Sequence, residues 1–163
     1  MRLALFAATA LSLLAAPSVA GAARTERVPL DLQFSQTVTH LCAFPVTIDS
    51  TVTGTQTNFF NNAGVQTRSN FSVTETDVFS ANGNVLTGLP YHTSLRAILD
   101  PSDPNIQLKL FAMGLVSRVP LPDGKTFLSA GRLEFTARGF LFALTPDTGH
   151  SGDVDAFCAA LAA

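Results

Sequence analysis

The stretch VQTRSNFSVTETDVFSANGNVLTGL, Val65–Leu89, decides the fold class. Asn82-Gly83 stands between two segments rich in β-branched and aromatic residues. A type I′ hairpin turn needs positive φ at both central positions, which Asn and Gly supply at least cost. Val65–Ser80 therefore reads as one arm of a hairpin and Val85–Leu89 as the other. Within the long arm, Phe71 and Val73 share one parity and Val78 has the other. A bulge near Glu75–Asp77, or a break into two strands, would explain the change.

Working outward, the same period of two recurs on both sides. Leu30, Leu32 and Phe34 alternate with Pro29, Asp31 and Gln33, which predicts a strand with one buried face. Thr37–Val52 follows, with Cys42, Phe44, Val46 and Ile48 on one parity. Pro45 makes this run an edge strand or places a bulge in it. Thr47, Thr51, Thr53, Thr55 and Thr57 continue a strand-compatible stretch around Gly54. Downstream, strands are expected over 94–99, 106–119, 126–136 and 138–145. They are separated by Asp100–Pro104 and by Pro120-Leu121-Pro122-Asp123-Gly124. Gly131 and Gly139 suit bulges or curvature.

The tail changes period. Val154, Phe157, Cys158 and Leu161 fall at i, i+3, i+4 and i+7, one apolar helical face with Ser151 or Asp153 as N-cap. A helix this short does not hold alone in water and must dock. The expected fold is all-β: an antiparallel small β-barrel of about eight strands with a short C-terminal helix. A β-sandwich is the alternative. Short turns exclude the long crossovers a parallel sheet requires, and interior glycines favour the barrel.

The N-terminus has the three parts of a signal peptide: Met1-Arg2, an apolar run Leu3–Ala16, and small residues before a cut after Ala20. Ala22 and Ala23 offer alternative cuts. A spanning helix needs about 20 apolar residues, and this run is shorter, so the reading is a leader over 1–20 and one secreted β domain over 21–163. No later segment is long and apolar enough to span a bilayer. Losing Arg2 takes the formal charge from −2 to −3, and only 13% of residues are charged. Without a basic run there is no electrostatic footprint for nucleic acid. Of 13 phenylalanines only Phe6 lies in the leader, which excludes a disordered chain.

Cys42 and Cys158 are the two cysteines, and in an exported chain a bridge between them is the default. Metal binding by thiols requires clusters that these do not form. A nucleophilic Cys42 would need His40 as its oriented base. His40, His92 and His150 are scattered, and a metal site would have to be assembled by folding. Glu75 and Asp77 share a parity and could project together, as paired glycosidase-type carboxylates must, although exposed strand carboxylates are commoner. Asp100, Asp103 and Asp123 are turn formers. Asn70-Phe71-Ser72 is formally a glycosylation sequon inside a β run. No phosphate loop, dinucleotide fingerprint, nucleophile elbow or zincin motif is present, so the sequence names no cofactor and no catalytic residue.

Cys42-Ala43-Phe44-Pro45-Val46, the Gly54-Thr55 pair and the ending Gly152–Leu161 together resemble a set of small secreted proteins of high-GC Gram-positive, actinobacterial type. Those proteins are functionally uncharacterised and lend no catalytic residue. The resemblance implies secretion and a clasp between an early strand and the terminal helix. The expectation for function is a secreted, non-enzymatic β module taking a small apolar ligand or a protein partner. The alternatives are an extracellular hydrolase or isomerase with a site of distant His and Asp/Glu residues, and a structural component of the cell envelope.

Overall fold

A computed structural model describes residues 23–136 and 143–162. The leader expected over 1–20 lies outside the described residues, as does most of the strand expected over 138–145. Residues 143–145 are irregular. Among the described residues eight strands precede one helix: β1 (Arg24–Val38), β2 (Val46–Phe60), β3 (Gln66–Ala81), β4 (Asn84–Thr87), β5 (Tyr91–Leu99), β6 (Gln107–Pro120), β7 (Thr126–Glu134), β8 (Thr148–His150) and α1 (Val154–Leu161). They form one antiparallel sheet in the order β1-β2-β3-β5-β6-β7-β8, with β4 paired beside β5 on β3. Among the described residues no helix is long and apolar enough to cross a membrane.

The hairpin turn forms as its chemistry requires. Asn82 and Gly83 adopt φ of 50° and 85°, and Ala81 pairs with Asn84. The expected break in the long arm is absent. β3 is continuous, and Phe71, Val73, Glu75, Asp77 and Phe79 all share the inward parity. The sequence suggested a parity change because two carboxylates occupy inward positions where apolar residues were expected.

The run expected over 37–52 is also corrected. β1 ends at Val38, residues 39–45 form a bent connection carrying His40 and Cys42, and Pro45 immediately precedes β2. A residue with no N–H and a fixed φ belongs at such a boundary rather than in the ladder. In β6 the register slips between Leu115 and Ser117, so the inward face passes from Leu110 and Ala112 to Ser117 and Val119. That bulge explains the loose alternation of the sequence there.

Five strand intervals separate β1 from β7, and at about 4.8 Å each a flat sheet would hold them roughly 24 Å apart. Yet Leu30 of β1 and Leu110 and Phe135, at the far side of the sheet, line one cavity. The sheet is therefore strongly curled. It is not closed: among the described residues no ladder joins β1 to β7 or β8. The barrel expectation is thus not supported. Gly54 shows how curvature arises without closure. Its φ is +157°, and a Cβ there would run into the backbone of Ser72 and Val73 on β3. Glycine lets the two strands approach where any side chain would hold them apart.

One end of the curled sheet is filled by the main core. Val38, Val46, Ile48, Phe79, Leu86, Val119 and Phe127 bring strand ends together around Phe157 and Leu161 of α1. Phe157 packs edge-on against Phe79, centroids 5.1 Å apart, and tilted against Phe127 at 5.2 Å. Asp153 caps the helix by accepting from the Ala156 N–H at 2.9 Å. The Cys42–Cys158 disulfide, with Cα atoms 5.6 Å apart, ties the β1–β2 connection to the helix.

Candidate functional site

The inward face is layered along the strands. On β2 and β3 the apolar layer of Ile48 and Phe79 is followed by Ser50 opposite Asp77, then Val52 opposite Glu75, then Gly54 opposite Val73. Farther on come Gln56, Asn58, Gln66 and Ser69, whose side chains form one hydrogen-bonded cluster. Between the carboxyl layer and this amide cluster lies a cavity of about 310 Å³. Its walls are Leu30, Leu32 and Phe34 of β1, Val52, Phe71, Val73, Leu95, Ala112 and Val116, with Phe135 beyond β7. Leu32 and Phe34 are 50% and 45% exposed, so the cavity opens on the β1 side.

The floor is the chemically distinctive part. Glu75 on β3 sits opposite Tyr91 on β5, and both line the cavity. Asp77, 1% exposed, lies one pleat deeper. It accepts from the Ser50 hydroxyl at 2.5 Å through Oδ1 and from the Tyr91 hydroxyl at 2.8 Å through Oδ2. Three strands therefore converge on one carboxylate. Burial is what makes this arrangement unusual, because a buried charge is tolerated only when it is hydrogen-bonded or neutralised.

Burial first, and the adjacent Asp77 charge second, push the Glu75 carboxyl up to about 8. Asp77 is also raised by burial, but the Ser50 and Tyr91 donors oppose that shift. Near neutral pH the pair thus holds a proton, and the Ser50 and Tyr91 donors on Asp77 favour placing it on Glu75. The Tyr91 phenol is raised far above its usual range by burial and then by the two carboxyls, so it stays protonated.

The remaining sequence candidates lie elsewhere. His40 is in the 39–45 connection, His92 faces outward on β5 with Nε2 3.4 Å from the Ser72 hydroxyl, and His150 is exposed on β8. None of them lines the cavity. Among the described residues no group of three or more His, Cys, Asp or Glu side chains could hold a metal ion. Both cysteines are in the bridge, so neither is a nucleophile. Asp100 and Asp123 accept from neighbouring N–H groups as turn formers do, from Ser102 and Lys125 respectively. Asn70 is central in β3 and lines a polar concavity of about 470 Å³ with Arg27, Thr57, Ser72 and Arg96.

Tyr91 and Ser50 are members of the site that sequence reasoning missed. Tyr91 is the chain's single tyrosine, and a lone phenol among many phenylalanines was a signal that one buried position requires a hydroxyl. Comparison with protein-family models, curated proteins and solved structures finds no match to this chain.

Proposed function

We propose that this chain is a secreted β protein that binds a small, mostly apolar molecule inside its curled sheet. The carrying observation is the cavity. Its volume of about 310 Å³ falls at the small end of the range for ligand sites, about 300–1,000 Å³. Its walls are aliphatic and aromatic, with few polar groups, as expected of a site that gains affinity from burial and orientation from one or two hydrogen bonds. The leader-like N-terminus supports export, and the disulfide fits an oxidising compartment.

Titration with the neutral dye phenylnaphthylamine, whose emission rises in apolar surroundings, tests this reading. Saturable one-to-one binding is expected. Ala112→Phe, which fills the cavity wall, should weaken it by about tenfold or more while the β signal in circular dichroism persists. Binding unaffected by that substitution would place the dye elsewhere and defeat the reading.

A second reading, an extracellular hydrolase or isomerase, draws support from one feature. A carboxyl held protonated near neutral pH in an apolar cavity has the chemistry of a general acid. That enzyme would use Glu75 and Asp77 and none of the three histidines.

A further inference from the structure

The polar groups lining the cavity are few: Gln36, Glu75, Tyr91, Thr93 and Gln107. Three of them are already engaged. The Glu75 carboxyl is within hydrogen-bonding reach of Tyr91 and Asp77. Tyr91 donates its hydroxyl to Asp77 at 2.8 Å, and Thr93 Oγ1 donates to the Met113 carbonyl at 3.3 Å. Gln107 begins β6, whereas Gln36 is level with Ile48 and Phe79, at the floor end. Glu75 sits at the floor beside Tyr91. Among the described residues no lysine, arginine or histidine lines the cavity. A carboxylate or phosphate head group entering it would lose its hydration with no cation to replace it, and would face a second acid.

We propose that the cavity selects uncharged, largely hydrocarbon molecules carrying one hydrogen-bond-accepting oxygen, such as a ketone or ester, and that Glu75 donates to that oxygen. This rests on the apolar-ligand reading above and specifies the ligand's chemistry. The geometry is that of a hydrogen-bonded acid pair at the end of an apolar chamber. Asp77, held behind by Ser50 and Tyr91, favours the protonated form of Glu75 and so keeps it a donor. Among the described residues the ionisable groups facing Glu75 are Asp77 on its own strand and Tyr91 on β5. β2 presents Ser50 and Val52, β1 presents Gln36 and apolar residues, and β6 and β7 add no charge to the lining. A fatty acid, the commonest apolar metabolite type with an oxygen-bearing head, is thereby disfavoured in its ionised form.

The test is displacement of phenylnaphthylamine by an eleven-carbon methyl ketone and by the eleven-carbon carboxylate, on the full mature chain. Quenching of Tyr91 serves as a second readout, since the chain has one tyrosine and no tryptophan. At about pH 6, where Glu75 is protonated and the competitor ionised, the ketone should displace the dye about tenfold more tightly than the carboxylate. Glu75→Leu should remove most of that preference. Glu75→Gln, which retains an N–H donor and the side chain's length, should preserve ketone binding and make it independent of pH. In the parent protein ketone affinity should fall as pH rises through about 8. Equal displacement by ketone and carboxylate, or unchanged ketone affinity in Glu75→Leu, would overturn the proposal while leaving the cavity reading intact. Failure of the dye to bind at all would overturn the cavity reading and the proposal with it.

Discussion

Glu75 takes its proton with it into the fold, and that fixes the sign of a pH effect. Unfolded, its carboxyl would ionise near its ordinary value of 4.5, whereas burial and Asp77 hold it protonated up to about 8. Between those values the folded state binds more protons than the unfolded one, so stability falls as pH rises across the window. Asp77 is shifted in the same direction. Asp100 and Asp123 are held below their ordinary range, by the Ser102 hydroxyl and by the Lys125 N–H respectively. They oppose the trend only at more acid pH, where their own protonation begins. Thermal melts between about pH 5 and pH 8 should therefore show a declining melting temperature, with a shallower decline in Glu75→Gln. A melting temperature that is flat or rises over that interval in the parent protein would contradict the placement of a protonated carboxyl inside the sheet.

Helix α1 has eight residues, too few to persist without docking, and the molecule holds it from three directions. Phe157 and Leu161 are fully buried in the core. Cys158 bonds Cys42. Asn82 and Asn84 of the hairpin turn donate to the carbonyls of Leu161 and Ala162, at 3.2 and 2.7 Å. The turn asparagines thus satisfy carbonyls that a helix end leaves without partners. Closing a loop of 116 positions is worth about 5 kcal/mol in the chain-entropy description, and at a few degrees per kcal/mol its loss is on the order of 10 °C. Cys158→Ser should show a drop of that order, with the β signal retained in circular dichroism. A drop of less than about 2 °C would mean that Phe157, Leu161 and the two asparagines already fix the helix unaided. The helix itself was legible, because its apolar spacing is local, and so was the turn, because Asn-Gly states its own φ requirement. The capping by Asn82 and Asn84 was not, since it joins residues nearly 80 positions apart. The site was half legible. Glu75 and Asp77 could be paired by parity alone, but their inward direction depends on Ser50 and Tyr91, which reach Asp77 from other strands.

At the scale of the molecule, an open but curled sheet makes a specific claim about β1. This strand is bonded on one side by β2 across its whole length, from Arg24–Phe60 to Val38–Val46. Among the described residues no strand lies on its other side. In an antiparallel edge strand, N–H groups alternate between the neighbour and solvent, so every second amide of β1 lacks a ladder partner. β3 differs because it has β2 on one side and β4 and β5 on the other. Residue-resolved amide exchange should follow this arrangement. The amides of β3 should be protected continuously, and those of β1 in alternation, with the solvent-facing set exchanging at close to free-peptide rates. Leu32 and Phe34 give the alternation a functional consequence, because the half-exposed strand that carries them is one wall of the cavity and its mouth. A wall bonded along a single edge opens locally at lower free energy than the strands behind it. Binding of phenylnaphthylamine or the methyl ketone should therefore slow exchange in β1 more than in β3. Uniform protection of all β1 amides without ligand would mean that β1 has a second neighbour, and that the sheet closes into the barrel first expected from the glycines.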